Sequence, residues 1–293
     1  MDLGISRRRF LRGLAMVGAA GAVGVAAEAA TAGAHDLVVE QVEIRSPRVP
    51  PAFDGFRIAQ LSDFHYDPYF SGPVIQEAVS KVNRLKPDVV VLTGDYVTER
   101  EFHSGTRDPK GARAALPCAQ LLAGLQSRLG TVAVLGNHEF FTDPDFVLEA
   151  LRAHGIRVLR NESMPLEQAG GRTWLAGVDD VLGGDDDLDV TLSGIPESEF
   201  VILLAHEPDF ADRSSTRNVD LQLSGHSHGG QIRWPLLGPL YLPRLGKKYP
   251  WGLRKIGGLT LYTNRGIGTI GIPARLNAPP EITILTLRTE LVV

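Results

Sequence analysis

A layered α/β fold is the class predicted by this chain of 293 residues. Two observations predict it. Beyond the first 34 residues the sequence repeats one unit: a β-rich apolar run, a turn bearing polar residues, then a helix-like stretch, as a sheet with covering helices reads in one dimension. The composition agrees, because 43% hydrophobic and 22% charged residues can fill one large core or two modest ones. Main-state disorder, a collagen-like fibre and a coiled coil are excluded. No solenoid-length repeat, low-complexity linker or composition shift divides residues 35–293, which read as one domain.

The elements follow in order. An apolar-alternating segment, Leu37 to Ile44, comes first. Short runs rich in β-branched and aliphatic residues predict strands at Arg57 to Leu61, Val89 to Thr93, Val132 to Leu135 and Thr173 to Val178. Others are Phe200 to Ala205, Leu221 to Ser224, Leu259 to Thr263 and Ile282 to Leu287. Helices are predicted at Val74 to Leu85, Ala112 to Arg128, Pro144 to His154 and Asp185 to Leu192, with Pro117 an anomaly inside the second.

The N-terminus reads differently. Ser6-Arg7-Arg8-Arg9-Phe10-Leu11-Arg12 joins an arginine block to an apolar pair, and an Ala/Gly-rich run follows from Leu14 to Ala27. This resembles a twin-arginine signal peptide. The run is shorter than the ~20 residues a spanning helix needs, and Glu28 ends it. Ala30-Thr31-Ala32 and Ala32-Gly33-Ala34 both fit signal-peptidase cleavage, so the expected division is a signal over 1–34 and a mature chain over 35–293. The twin-arginine translocase is then a partner, and the periplasm or cell wall the destination. The competing reading, a basic tail and a buried helix, does not account for the order of motif, run and cleavage pattern. Cleavage takes the net charge from −4 to −6, which argues against nucleic acid held by overall positive charge. The single cysteine, Cys118, excludes an intrachain disulfide and a Cys-rich zinc module.

Metal-ligating residue types recur directly after the apolar strands. Asp63-Phe64-His65 follows the first, Gly94-Asp95 the second and Gly136-Asn137-His138-Glu139 the third, while His206 and Gly225-His226-Ser227-His228 follow two later ones. Side chains just beyond the carboxyl ends of sheet strands can meet in one crevice though distant in sequence. Imidazole, carboxylate and amide oxygen together suit borderline divalent metals such as Mn, Zn, Fe or Co. Five of the eight histidines lie in these motifs, whereas His35, His103 and His154 lie in a terminus, a polar loop and a helix end. Any one motif alone is more often a turn or cap; the ordered set is specific.

That set resembles the calcineurin-like metallophosphoesterase superfamily, whose signature runs D-x-H, GD, GNH-E/D, H and GH-x-H. The resemblance spans residues 58–228. It extends less specifically to Tyr262–Gly268 and Pro279-Pro280-Glu281, which look like a bacterial cell-envelope branch of phosphodiesterases exported by the twin-arginine route. It implies a layered sandwich of two mixed β-sheets flanked by helices. It further implies that Asp63, His65 and His228 hold one metal, that Asn137, His206 and His226 hold the other, that Asp95 bridges them, and that His138 is catalytic near the leaving group. Two such cations clamp a phosphoryl oxygen and lower the pKa of bound water, so a bridging hydroxide attacks in line without a protein nucleophile. Many members carry an acidic residue three positions after the bridging Asp to orient the catalytic histidine; Thr98 stands there, leaving Glu99 or Asp67 as substitutes. A Gly-x-Ser-x-Gly elbow and a P-loop are both absent.

From Leu221 to Pro280 the chain has eight basic residues and no Asp or Glu, so the rest of the mature chain carries −14. Interleaved are Trp234, Leu236, Leu237, Leu240, Tyr241, Leu242, Tyr249 and Trp251. Such a segment, 229–255 above all, either contacts acyl chains or a membrane surface, or packs its aromatics into the core beneath a solvated cationic face. Three functions therefore compete: an envelope phosphodiesterase, a UDP-2,3-diacylglucosamine pyrophosphate hydrolase of the lipid A pathway type, and a catalytically silent metal-binding envelope protein. Export counts against the second, whose substrate is met on the cytoplasmic side, and His138 against the third.

Overall fold

Alternation along the strands decides how the layers stack. The computed structural model describes residues 28, 29, 32–99 and 107–290; the arginine block, the apolar run, Ala30-Thr31 and His103 lie outside the described residues. In β2 (Arg57–Leu61) and β3 (Val89–Leu92), Ile58, Val89 and Val91 enter one core while Ala59, Leu61, Val90 and Leu92 enter another. That is the period of two expected of strands covered on both faces.

The first sheet runs β1 (Val38–Ser46), β14 (Glu281–Thr289), β2, β3, β4 (Thr131–Ala133) and β5 (Arg157–Val158). All its pairings are parallel except β14 with β2. The second runs β12 (Gly252–Ile256), β13 (Leu259–Thr263), β9 (Leu221–Ser224), β8 (Val201–Leu204), β7 (Gly171–Gly177) and β6 (Glu162–Gln168), parallel in the middle and antiparallel at both edges. A short hairpin, β10 (Arg233–Trp234) and β11 (Gly238–Pro239), stands apart. The sheets share a core in which Ile58, Val91 and Leu285 join Leu175, Ile202 and Leu223. The other face of the first sheet is covered by α1 (Ser71–Leu85), α2 (Ala115–Leu122) and α4 (Pro144–Ala153), which follows the short α3 (Asn137–Phe141). Against the second lie Phe210, Ala211 and α5 (Leu188–Leu192). The architecture is thus two mixed β-sheets sandwiched between helices, as expected.

Three expectations are corrected. The helix foreseen from Ala112 to Arg128 is a 3-10 turn, Gly111–Ala114, followed by α2, which stops at Leu122. Asn83 of α1 ends it, donating to Gly124 O (2.8 Å) and accepting from Gln126 N (2.8 Å). Pro117 falls in its first turn, where the missing N–H is no loss. The helix from Asp185 begins at Leu188, because Asp187 caps it by accepting from Val190 N (2.9 Å). Strands β5, β6, β10, β11 and β12 are absent from the expected set. β6 reads Glu-Ser-Met-Pro-Leu-Glu-Gln, and its polar residues and Pro165 are tolerated because it is an edge.

Candidate metal centre

The parallel strands of both sheets end on one crevice, and their last turns carry the site. Asp63 and His65 follow β2, Asp95 follows β3, Asn137 and His138 open α3 beyond β4, His206 follows β8, and His226 and His228 follow β9. Five of these backbones are left-handed: Asp63, His65, Asp95, His226 and His228 have φ between 40° and 67°. Each such residue costs about 1–3 kcal/mol, so the surroundings must hold it. The segment 263–268 does part of this, since Ile267 N donates to Ser62 O (2.9 Å) and Gly268 N to Asp63 O (2.7 Å). Two glycines are required by approach: a Cβ on Gly136 would strike Asp95 Oδ1, and one on Gly225 would strike Ser62 Oγ and Asp63 Oδ2.

The eight side chains foreseen from the sequence are all buried; Asp63, His65, His138, His206, His226 and His228 cluster with Asp95, and Asn137 lines the same cavity. Asp95 Oδ2 lies 3.1 Å from His206 Nε2, 3.5 Å from His65 Nε2 and 3.9 Å from His138 Nε2. On one side, His65 Nε2 is 3.0 Å from His228 Nε2, which is 3.5 Å from Asp63 Oδ1. On the other, His226 Nδ1 is 3.2 Å from His206 Nε2. Three donor groups result: Asp63, His65 and His228; His65, Asp95 and His138; Asp95, His206 and His226. His154 instead bonds Ala150 O in α4.

The hydrogen bonds test whether cations fit. His206 Nδ1 donates to Thr93 O (2.6 Å) and His226 Nε2 to Arg244 O (2.7 Å), so the other nitrogen of each ring faces inward. His65 Nδ1 meets Thr98 Oγ1 at 2.8 Å, leaving Nε2 to face the centre. Asp63 Oδ2 and Asn137 Oδ1 are buried without a hydrogen-bond partner, as oxygens kept for a cation would be. Burial drives His65 and His226 down to about 3, so both rings are neutral, and lifts Asp63 to about 6. For Asp95, burial is outweighed by His206 and His138, which hold its pKa well below the carboxylate range. His228 meets a cation at its outer nitrogen, with Arg275 Nη2 3.4 Å from Nδ1. The donors are those of a two-cation centre.

Glu99 takes the position that Thr98 leaves open: its Oε2 bonds His138 Nδ1. Asp67 does not reach, because its carboxylate accepts from Tyr69 N (2.8 Å) and Phe70 N (3.1 Å) in its own turn. Burial lowers the His138 pKa, but Asp95 and Glu99 outweigh it and the net shift is upward. Glu139 went unassigned in the sequence. Its buried carboxylate accepts from Gly136 N, Asp95 N, Tyr96 N and Val97 N at 2.7–3.3 Å, tying the Asp95 turn to the start of α3. The signal was there, an acid three residues after the helix-capping glycine.

A cavity of about 590 Å³ opens over the centre, lined by Asp95, Asn137, His138, His226 and His228 at its floor. Its walls are mainly apolar, including Phe141, Leu182, Ile232, Leu240 and Tyr241, with Arg244 contributing a cation.

Comparison with known proteins agrees with the geometry. The pattern of the family described as calcineurin-like phosphoesterase matches residues 56–230. An uncharacterized metallophosphoesterase of Bacillus subtilis, YkuE, is 37% identical, over 97% of this chain and 98% of its own. Phosphodiesterase YaeI of Escherichia coli is 30% identical, over 97% and 99%. The crystal structure of a dimetal phosphatase from Danio rerio aligns with a TM-score of 0.46 at 14% identity, covering 73% of this chain and 88% of that one. With its donors gathered at the strand ends and its sequence matched through them, the chain belongs to the calcineurin-like phosphoesterases, metal-dependent hydrolases of phosphoric esters.

Proposed function

We propose that the protein is an exported phosphodiesterase of the cell envelope whose centre holds two divalent cations. The observation that carries it is the meeting of Asp63, His65, His206, His226 and His228 with Asp95 in one buried cluster, with His138 set beside them by Glu99. In this reading Asp63, His65 and His228 hold one cation, Asn137, His206 and His226 the other, and Asp95 lies between. When bound, the pair supplies Lewis acidity and an activated water as the nucleophile. The protein's own contribution is positional. Glu99 accepts from His138 Nδ1, so Nε2 faces the cavity and gives its proton to the departing alkoxide. Asp95 Oδ1 accepts from His138 N (3.1 Å), which fixes that ring relative to the ligand between the sites.

A diester suits the cavity better than a monoester does. A diester brings a single negative charge, and the largely apolar wall offers one cation, Arg244, above the centre. The name of the Escherichia coli relative points the same way. Export rests on the arginine block and apolar run of residues 1–34, with the twin-arginine translocase as partner and the periplasm or cell wall as destination. Cytoplasmic retention of an Arg7→Lys/Arg8→Lys variant would support that route, and unaltered export would overturn it.

The enzymatic test uses purified protein loaded with Mn or Zn. Bis(4-nitrophenyl) phosphate should be cleaved faster than 4-nitrophenyl phosphate, and His138→Ala should lose about 10²–10⁴-fold in kcat on a diester that releases an alkyl alcohol. A metal-replete protein inert toward both esters, or a His138→Ala form equal to wild type, would refute the proposal.

A further inference from the structure

The cavity's outer wall does what a soluble enzyme's surface ordinarily avoids. Leu236 and Leu237, at the tip of the β10–β11 hairpin, are fully and 83% exposed. Leu240, Tyr241 and Ile272 line the mouth and are still 64%, 65% and 63% exposed. Such a contiguous apolar patch, continuous with a catalytic cavity, marks a surface that is covered in use. The hairpin is anchored, not loose. Asn277 Nδ2 donates to Arg233 O (2.8 Å), Arg233 N to Leu276 O (2.9 Å), and the Arg233 guanidinium lies over the Trp251 ring at 4.5 Å.

Charge identifies the cover. Of the segment's cations, Lys248 pairs with Asp212, Arg265 with Glu40 and Glu281, and Arg275 is buried. Arg244, which lines the cavity, and Lys247 are exposed and have no ion pair among the described residues. An exposed apolar edge accompanied by unpaired cations close by in the chain is the arrangement that settles on an anionic bilayer.

We propose that the cavity takes a phosphodiester carrying a hydrocarbon chain, drawn from an anionic lipid surface on which Leu236, Leu237, Leu240, Tyr241 and Ile272 rest. The headgroup phosphate reaches the floor while the chain lies along Ile232, Leu240 and Tyr241. This rests on the phosphodiesterase reading above and names its substrate class. Hydrolysis breaks one phosphorus–oxygen bond, adds hydroxide to phosphorus and a proton to the released alcohol.

The first measurement is co-sedimentation of the full chain with vesicles of phosphatidylcholine alone or mixed equally with phosphatidylglycerol. Wild type should prefer the mixed vesicles, and Leu236→Asp/Leu237→Asp should partition at least about tenfold less. Both proteins carry the same N-terminus, so the difference reports the hairpin. The second is kcat/KM on monomeric phosphatidylglycerols of increasing chain length, expected to rise about twofold or more per added methylene. Equal partitioning of the two proteins, or no rise with chain length while bis(4-nitrophenyl) phosphate is still cleaved, would overturn the proposal. Failure on the aryl diester itself would instead sink the phosphodiesterase reading.

Discussion

Replacing Glu99 by Ala isolates the contact that the sequence left open. The carboxylate and the His138 imidazole are both about nine-tenths buried, and the bond between them joins Oε2 to Nδ1. A hydrogen bond to a charged group is worth about 1.5–3 kcal/mol. If that energy holds Nε2 toward the leaving group, its loss lowers kcat about 10- to 150-fold, at 1.36 kcal/mol per decade. The assay compares two diesters, one releasing 4-nitrophenol and one releasing an alkyl alcohol. An alkoxide needs a proton donor far more than nitrophenolate does, so the variant should lose more on the alkyl ester. Glu99→Gln, which keeps an acceptor oxygen but no charge, should recover part of the loss. Metal content should stay at the wild-type level, because Glu99 belongs to none of the donor groups. Equal loss on both esters, or an Asp67→Asn variant with the same signature, would refute Glu99 as the positioning residue.

Other outcomes follow from the same geometry. Asp95→Asn removes the oxygen charge shared by His65, His206 and His138, and metal analysis should show both cations reduced; wild-type content would exclude Asp95 from its place between them. Glu139→Ala strands buried N–H groups at Gly136, Asp95 and Tyr96, each costing about 1–3 kcal/mol. Thermal unfolding should fall by roughly 6 °C or more, at about 2–4 °C per kcal/mol; an unchanged Tm would show that other groups satisfy those donors. Gly225→Ala drives a methyl into Ser62 and Asp63, which should cost about 1–3 kcal/mol of stability and weaken metal binding. Calorimetric titration with Mn would check this, and wild-type affinity would mean the Asp63 turn can move aside.

The buried strands were easy to read because both their faces are apolar. Val89–Leu92 and Val201–Leu204 are sheet interiors and read as unbroken aliphatic runs. Edge strands lack that signature. Glu162–Gln168 has one partner and reads as loop until Gly171–Gly177 is laid beside it. The end of α2 was illegible for a related reason, since Asn83, some forty residues earlier in the chain, supplies the groups that stop it. The basic segment split between its two readings. Tyr249 packs against the core over the second sheet, whereas Trp234, Leu236, Leu237, Leu240 and Tyr241 stay exposed. No local pattern separates these, because burial there depends on which strands the loop crosses.

The sequence by itself determined the α/β class, the strand ends that carry the donor groups and the identities of the eight side chains of the site, Asp95 among them. It could do so because cation chemistry selects residue types within a few positions of each strand, and that selection is local. Tertiary structure decided the rest: Glu99 rather than Asp67 as the partner of His138, the carbonyls of Thr93 and Arg244 as the supports of two imidazoles, and the exposure of the hairpin leucines. Each of these depends on contacts between segments distant in the chain or on the path of a loop, and only the packed chain fixes those distances.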